Sequence, residues 1–436
     1  MDATKTLIEL VARVDFRQLP GDVVEKTKIS ILDWFICCLA GSALPQAKKA
    51  FAALSGMSKG ASTIFGFHVK VSPYTASLIN GISGHSLEMD DIDKKSVVHP
   101  GVVVIPSAIA IAEEMEAEGS NLIESVVAGY EVVLRLGECL GRDHYTKFHS
   151  TATCGVFGST AASGKLLGLN DEQMEWAFGN AGSFATGLWQ FIEGGGETKP
   201  LHAGKASSEG ILVSLLAAKR YSGPKGIIEG EKGLCTVMSE HPDYDTLRKA
   251  GFRIMDVSFK LYPSCRHTHA AIDAALALRE QVDEIQSVEI YTYKEAIQIA
   301  GFRNPSTPFE GKFSVPYCVA IALLDGNVRP EQFDVSNLGK TEVRKILART
   351  VLKEKKEFSM AFPDRWMSEV VVNNTLSRLI EFPKGDPENP ARIEDLWVKY
   401  EGMLRYAGVD ADLTTIIDFF TTLEKRTMDE LGELVY

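Results

Sequence analysis

The sequence predicts a mainly α protein: a large all-helical domain together with a smaller α+β domain. Three observations predict it. Up to about residue 225, apolar residues recur at helical spacing; over roughly 256–385, short alternating runs rich in β-branched and aromatic residues are interspersed with helical ones; from residue 386 the helical pattern returns. These shifts divide the chain into 1–255 (helical), 256–385 (α+β) and 386–436 (helical again). With 436 residues there is length for two or three domains, each with its own core.

Taken in order, helix-length periodicity covers Val23–Ala40, Tyr74–Asp91, Val102–Ala117, Leu122–Leu140, Ala152–Leu167 and Glu172–Phe191. Ser72-Pro73, Ser120-Asn121 and Asn170-Asp171 read as helix starts. The stretch Ser150–Gly168 is crowded with small residues. Each glycine there costs a helix about 1 kcal/mol against alanine, so close helix–helix packing is expected to offset it. Gln286–Tyr293 and Met367–Val372 read as strands; Thr268–Glu280, Val315–Leu324 and Thr341–Leu352 read as the helices between them. Phe382–Pro390 (FPKGDPENP) has the composition of a linker, with helices expected over Arg392–Ala407 and Asp410–Leu431.

Composition narrows the function classes. Apolar residues make up 45% and charged residues 24%, and the formal charge is −12, which is a poor match for nucleic acid or an anionic membrane. Seven cysteines, mostly in apolar runs and without any C-x-x-C, point to buried thiols in a reducing cytoplasm rather than to a zinc ribbon or an iron–sulfur framework. The first twenty residues lack the basic and apolar regions of a signal peptide, and the expectation is a cytoplasmic enzyme. An anionic substrate would need a local basic pocket.

Three segments carry candidate chemistry. In GHSLEMDDIDKKSVVHP, a continuous helix through Asp91 would set His85, Glu88 and Asp91 on one stripe with Ser77, Gly81 and Gly84. A stripe of acids and small residues without lysine or arginine suits a cavity wall, against the alternative of an acidic helix end in water. Metal ligation by His85, Glu88, Asp91 and His99 has no recognised ligand spacing behind it. In EGGGETKPLHAG, three glycines form a loop that a ligand can approach closely, and Lys199 and His202 follow at a helix start. A lysine there can act as a base or an anion clamp, or lie in water as a loop residue. In FKLYPSCRHTHAA, Lys260, Arg266, His267 and His269 crowd together before a helix, forming a carboxylate receptor or a basic surface turn. His149 and Tyr317 stand alone in their segments.

Together, GHSLEMDDIDKKSVVHPG, FHSTATCGVFGSTAASGKLLGL, GETKPLHAGKAS, FKLYPSCRHTHAAIDAALAL and FSVPYCVAIALLDG resemble the ordered blocks of the MmgE/PrpD family, which includes 2-methylcitrate dehydratases, cis-aconitate decarboxylases and iminodisuccinate epimerases. The resemblance implies a homodimer, a helical domain made from both chain ends, an inserted α+β lid domain, and an active site between them that needs no metal or organic cofactor. It implies catalytic roles for His99, His149, Lys199, Lys260 and Tyr317. Glu88, where the family often has aspartate, belongs to the same site. His85, Asp91, His202, Cys265, Arg266 and His267 join Glu88 as expected substrate contacts, with Cys265-Arg266 standing where the decarboxylase pattern has histidine. The expected substrate is a small di- or tricarboxylate, and the expected activity a lyase: dehydration first, decarboxylation second. A cofactor-independent epimerase of a dicarboxylate such as iminodisuccinate is the alternative. A metal-dependent hydrolase or a non-catalytic helical binding protein are more distant ones.

Overall fold

The computed structural model describes residues 2–194 and 196–435. Gly195, in the middle of the three-glycine loop, lies outside the described residues. Helices α1 (Ala3–Arg13), α2 (Gly21–Ser42) and α3 (Pro45–Leu54) lead into a small antiparallel hairpin, β1 (Ser62–Ile64) with β2 (Val69–Val71). Then come α4 (Pro73–Ser86), α5 (Gly101–Glu114), α6 (Gly119–Tyr145), α7 (Ser150–Leu166), α8 (Asp171–Ala181), the short α9 (Phe191–Gly194) and α10 (Thr198–Ala218). Helix α7 is buried at every residue from Ser150 to Gly164, which explains its small side chains: it is surrounded by other helices, α6 and α10 foremost.

Two of the expected helix starts are capped as read. Ser72 accepts from the Thr75 amide, and Asn170 forms a reciprocal capping box with Gln173. At the third, α6 starts after Glu118 with no side-chain cap, so Ser120-Asn121 lies inside the helix. Two helices end earlier than their apolar periodicity suggests. The one expected through Asp91 stops at Ser86, because Glu88 takes a left-handed backbone (φ 62°). The one expected through Phe191 stops at Ala181, because the following backbone pairs with the head of α7: His149 N–H donates to the Gly187 carbonyl at 2.8 Å.

The α+β part holds a four-stranded sheet in the order β4-β3-β5-β6, formed by β3 (Val288–Thr292), β4 (Thr350–Glu354), β5 (Ser368–Val372) and β6 (Leu376–Ile380). β3 runs parallel to β4 and antiparallel to β5. The helices His269–Leu278 and Val315–Asp325 pack on each other, and the first of them lies on β5 and β6. β4 takes residues that helical spacing had assigned to a neighbouring helix, which ends at Leu347.

The hydrophobic side chains form separate cores. One joins residues between Ala3 and Phe259 with Leu396, Tyr400, Met403 and others through Leu431, so the C-terminal helices Ile393–Ala407 and Leu413–Thr421 pack with the N-terminal ones. A second has its buried residues between Cys265 and Val372, with the half-buried Ile192, Tyr262, Leu376 and Ile380 packed against it. A third, largely aromatic, brings Ile92, Val97 and Tyr145 against Tyr293, Phe362 and Trp366. The 382–390 stretch is an ordered clasp rather than a free linker. The Phe259 amide donates to the Gly385 carbonyl at 3.0 Å, and the buried Asp386 accepts from Ser258 Oγ at 2.6 Å and pairs with Arg266. All seven cysteines are buried and free. Among the described residues no single helix is long and apolar enough to cross a membrane.

Candidate active site

The site begins at a backbone-to-backbone helix crossing. A Cβ on Gly81 of α4 would lie 2.8 Å from the Gly204 Cα of α10, so only glycine permits this approach. One turn further on, Ser77 and Ser207 share a hydrogen bond of 2.6 Å. The crossing sets the end of α4, with His85 and Glu88, beside the start of α10, with Lys199.

Just past α4, the left-handed turn at Glu88 directs its carboxylate inward. Lys199 pairs with Oε1, and Lys260 Nζ lies 3.1 Å from Oε2; all three residues are buried. A lysine in the first turn of a helix opposes the helix dipole, and this ion pair offsets that cost. Lys260 arrives through a bridge between Ile92 and Ser258 that ties its strand-like segment to the loop after Glu88. Burial alone would raise the Glu88 carboxyl, but Lys199 and Lys260 hold it well below the usual carboxylate range. A third cation, Lys312, donates to the Leu87 carbonyl at 3.1 Å and caps the end of α4. Burial pushes its ammonium down to about 8 against the pull of Glu88.

The imidazoles form the other half. His85 Nδ1 donates to Asp90 Oδ2 at 2.8 Å. His99 Nδ1 lies 2.8 Å from the same oxygen and 2.9 Å from the Asp91 carbonyl. His149, at the head of α7, places Nδ1 3.3 Å from Nδ1 of His202 and its ring 5.0 Å from Trp189. His267 is held between two phenols, Tyr293 at 2.6 Å and Tyr145 at 3.1 Å, and stacks on Trp366. Burial pushes His99 and His202 down to about 4 and His267 to about 3, and it holds His149 well below the ordinary histidine range, with Lys199 adding to the effect. At neutral pH these rings are proton acceptors rather than cations.

Two cavities meet at Lys199 and Phe313. The inner one, of about 20 Å³, is walled by His99, His149, Lys199, Cys265, Arg266 and His267 together with Trp189 and Trp366. The outer one, of about 470 Å³, is lined by His85, Glu88, Lys199, Lys312, Phe309 and Phe313 among others. A larger hollow of about 1140 Å³ lies beyond Tyr145 and Trp189, which separate it from the histidines.

The structure therefore gathers His85, Glu88, His99, His149, Lys199, Lys260, Cys265 and His267 at one place. It does not gather Asp91 or Tyr317. Asp91 is turned away: its carboxylate accepts from Tyr130 Oη at 2.7 Å and from the Gly101 amide at 2.8 Å, and burial pushes it up to about 7. The helical stripe that included it ends at Ser86. Tyr317 sits in the second core, where its hydroxyl donates to the Gln332 carbonyl and its ring meets Phe333. Arg266 lines the inner cavity, but its charge is matched by Asp386. His202 lines neither cavity and meets the site through His149, their ring centroids 5.5 Å apart.

Sequence reasoning missed Asp90, Lys312, Phe313 and the aromatic walls Trp189 and Trp366. Asp90 had a signal, standing between two residues already singled out. The aromatic walls had none, because they come from distant segments. Among the described residues, one group of metal-type donors, His85, Asp90 and His99, has its ligand atoms within 4.8 Å of one another. Its nitrogen–oxygen contacts of 2.8 Å are hydrogen-bond lengths, shorter than the roughly 3.3 Å between ligands of a tetrahedral zinc ion. Glu88 and Asp91 are engaged elsewhere, so the four-ligand set considered from sequence does not assemble.

Two family models match the chain in sequence. The MmgE/PrpD N-terminal domain matches residues 5–247 and the MmgE/PrpD C-terminal domain residues 262–424. A cis-aconitate decarboxylase of Aspergillus terreus is 26% identical over 445 residues, covering 94% of this chain and 90% of its own length. The cis-aconitate decarboxylase-like protein oryM of Aspergillus oryzae is 25% identical, covering 100% of this chain and 96% of its own. The human cis-aconitate decarboxylase is 27% identical, covering 77% of this chain and 73% of its own. Matched along nearly its whole length by both halves of one family, the chain belongs to the MmgE/PrpD family.

Proposed function

We propose that the chain is a lyase acting on a small tricarboxylate of the cis-aconitate type, with decarboxylation ahead of dehydration. The observation that carries this reading is the convergence of Lys199 and Lys260 on one buried carboxylate, beside a cavity walled by three neutral histidines. The names of the relatives support decarboxylation over the dehydration that the sequence had put first, and the epimerase alternative is not favoured.

The chemistry sets the roles. When a carbon near a carboxylate loses CO2 or a proton, an electron pair stays behind and needs stabilising. Lys199 and Lys260 receive the substrate carboxylates and the developing anion, with Lys312 in the wall of the outer cavity. Glu88 pairs with both lysines, one at each carboxylate oxygen, and fixes their ammonium groups in place. In decarboxylation His99 or His149, first protonated from solvent, delivers that proton to the carbon that has lost CO2; in dehydration the same neutral ring would take a proton from the substrate carbon. The inner cavity holds no more than a water, so seating a tricarboxylate there requires its Phe313 and Trp189 walls to part. On this reading residues 256–385 form an inserted lid over the helical domain, and the enzyme works as a cytoplasmic homodimer without a cofactor.

Lys199→Ala and His149→Ala test the assignment. Each is expected to lower turnover of the true substrate by about 10²-fold or more, measured as product formed per enzyme in folded protein. Wild-type turnover in both variants would overturn it.

A further inference from the structure

We infer that Asp90 is the positioning residue of this site, holding His85 and His99 at Nδ1 through a single carboxylate oxygen so that each keeps its proton-accepting lone pair on Nε2. The inference rests on the lyase reading for its kinetic consequence, but not for its structural content.

Asp90 is fully buried, and its Oδ2 lies 2.8 Å from Nδ1 of both His85 and His99. A carboxylate can only accept, so each facing Nδ1 carries a proton. At His99 the demand is doubled, because the Asp91 carbonyl, also an acceptor, stands 2.9 Å from the same nitrogen. A neutral imidazole protonated at Nδ1 has its lone pair at Nε2. His85 Nε2 is buried without a hydrogen-bond partner among the described residues. A proton there would be an orphaned donor, and the lone pair is the cheaper occupant. The two rings meet edge to face, with centroids 4.7 Å apart, so neither is free to turn over independently.

The arrangement is directional. When His99 takes a proton on Nε2 it becomes an imidazolium, and the anion that stabilises it is already bonded to its far side. Because His85 uses the same oxygen, the pair has one compensating charge between two rings and favours one imidazolium at a time. Asp90 touches no substrate on this reading; it acts through the two histidines.

The test is nitrogen-15 NMR of histidine-labelled protein, with His85→Gln and His99→Gln assigning the rings. In wild type both rings are expected as Nδ1–H tautomers with strongly downfield Nδ1 protons, the mark of charge-assisted bonds. Asp90→Asn is expected to move those two protons upfield while leaving His267 in place. Nε2–H tautomers in wild type, or unmoved protons in folded Asp90→Asn, would overturn the inference. In the same variant kcat is expected to fall roughly 10²–10⁴-fold with KM changed less than about threefold. If the tautomers are as stated and no tricarboxylate is turned over, the lyase reading fails and the positioning role of Asp90 stands. If the tautomers are wrong, the inference fails whatever the activity.

Discussion

At the scale of single residues, the site depends on breaks in local regularity that helical spacing hides. Glu88 and Asp91 fall on one stripe only if the helix continues. The left-handed turn at Glu88 sends its carboxylate to two lysines, while Asp91 anchors Tyr130 and the start of α5. Residue type was informative even so for Lys260, Arg266 and the histidines beside them, which an acidic chain has little other reason to cluster, whereas His149, alone in its segment, was reached only through the family resemblance. Tyr317 could not be sorted by type, since a tyrosine after a proline in an apolar helix reads alike in a core and in a site. His267 yields a prediction here. Its folded value of about 3 lies below the ordinary 6.5, so burial makes its neutral form part of the native state. That contribution is complete above pH 6.5 and is lost as pH falls from 6.5 toward 3, because the unfolded chain takes up the proton first. His267→Phe removes this loss. Relative to wild type, the variant is expected to gain about 2 kcal/mol between pH 7.5 and pH 5, measured by denaturant melts at both values. A constant difference would show that the ring is not held neutral.

At the scale of elements, long periodic helices were legible and short strands were not. Helices α2, α5 and α7 appear close to where their apolar spacing placed them, because burial on most faces demands that pattern. The strands Thr350–Glu354 and Leu376–Ile380 escaped because their mostly exposed residues lack a clear alternation. The 382–390 clasp looked like a linker by composition, yet its one buried acid, Asp386, meets Arg266 across the fold. The α4–α10 crossing is the element on which the site depends most. Gly81→Ala would press a methyl group against the Gly204 backbone, where no side chain can yield. It is expected to cost about 1–3 kcal/mol in a denaturant melt, and to lower turnover by moving Lys199 away from Glu88. A variant with unchanged stability and activity would show that the close approach is not needed.

At the scale of the whole molecule, charge and cavity size explain each other. A chain of net charge −12 places Lys199 and Lys312 in the walls of two adjoining cavities, with Lys260 buried against Glu88 beside them, so that an anion entering there meets cations. The outer cavity has room for a small tricarboxylate, and the inner one lies beside the histidines. The most direct test supplies cis-aconitate in deuterated water and follows substrate, CO2 and product by mass. The account predicts one CO2 released per substrate consumed, and a five-carbon unsaturated dicarboxylate carrying one deuterium on carbon. Recovery of cis-aconitate without CO2, or of a substrate-mass isomer with deuterium exchanged in, would contradict it.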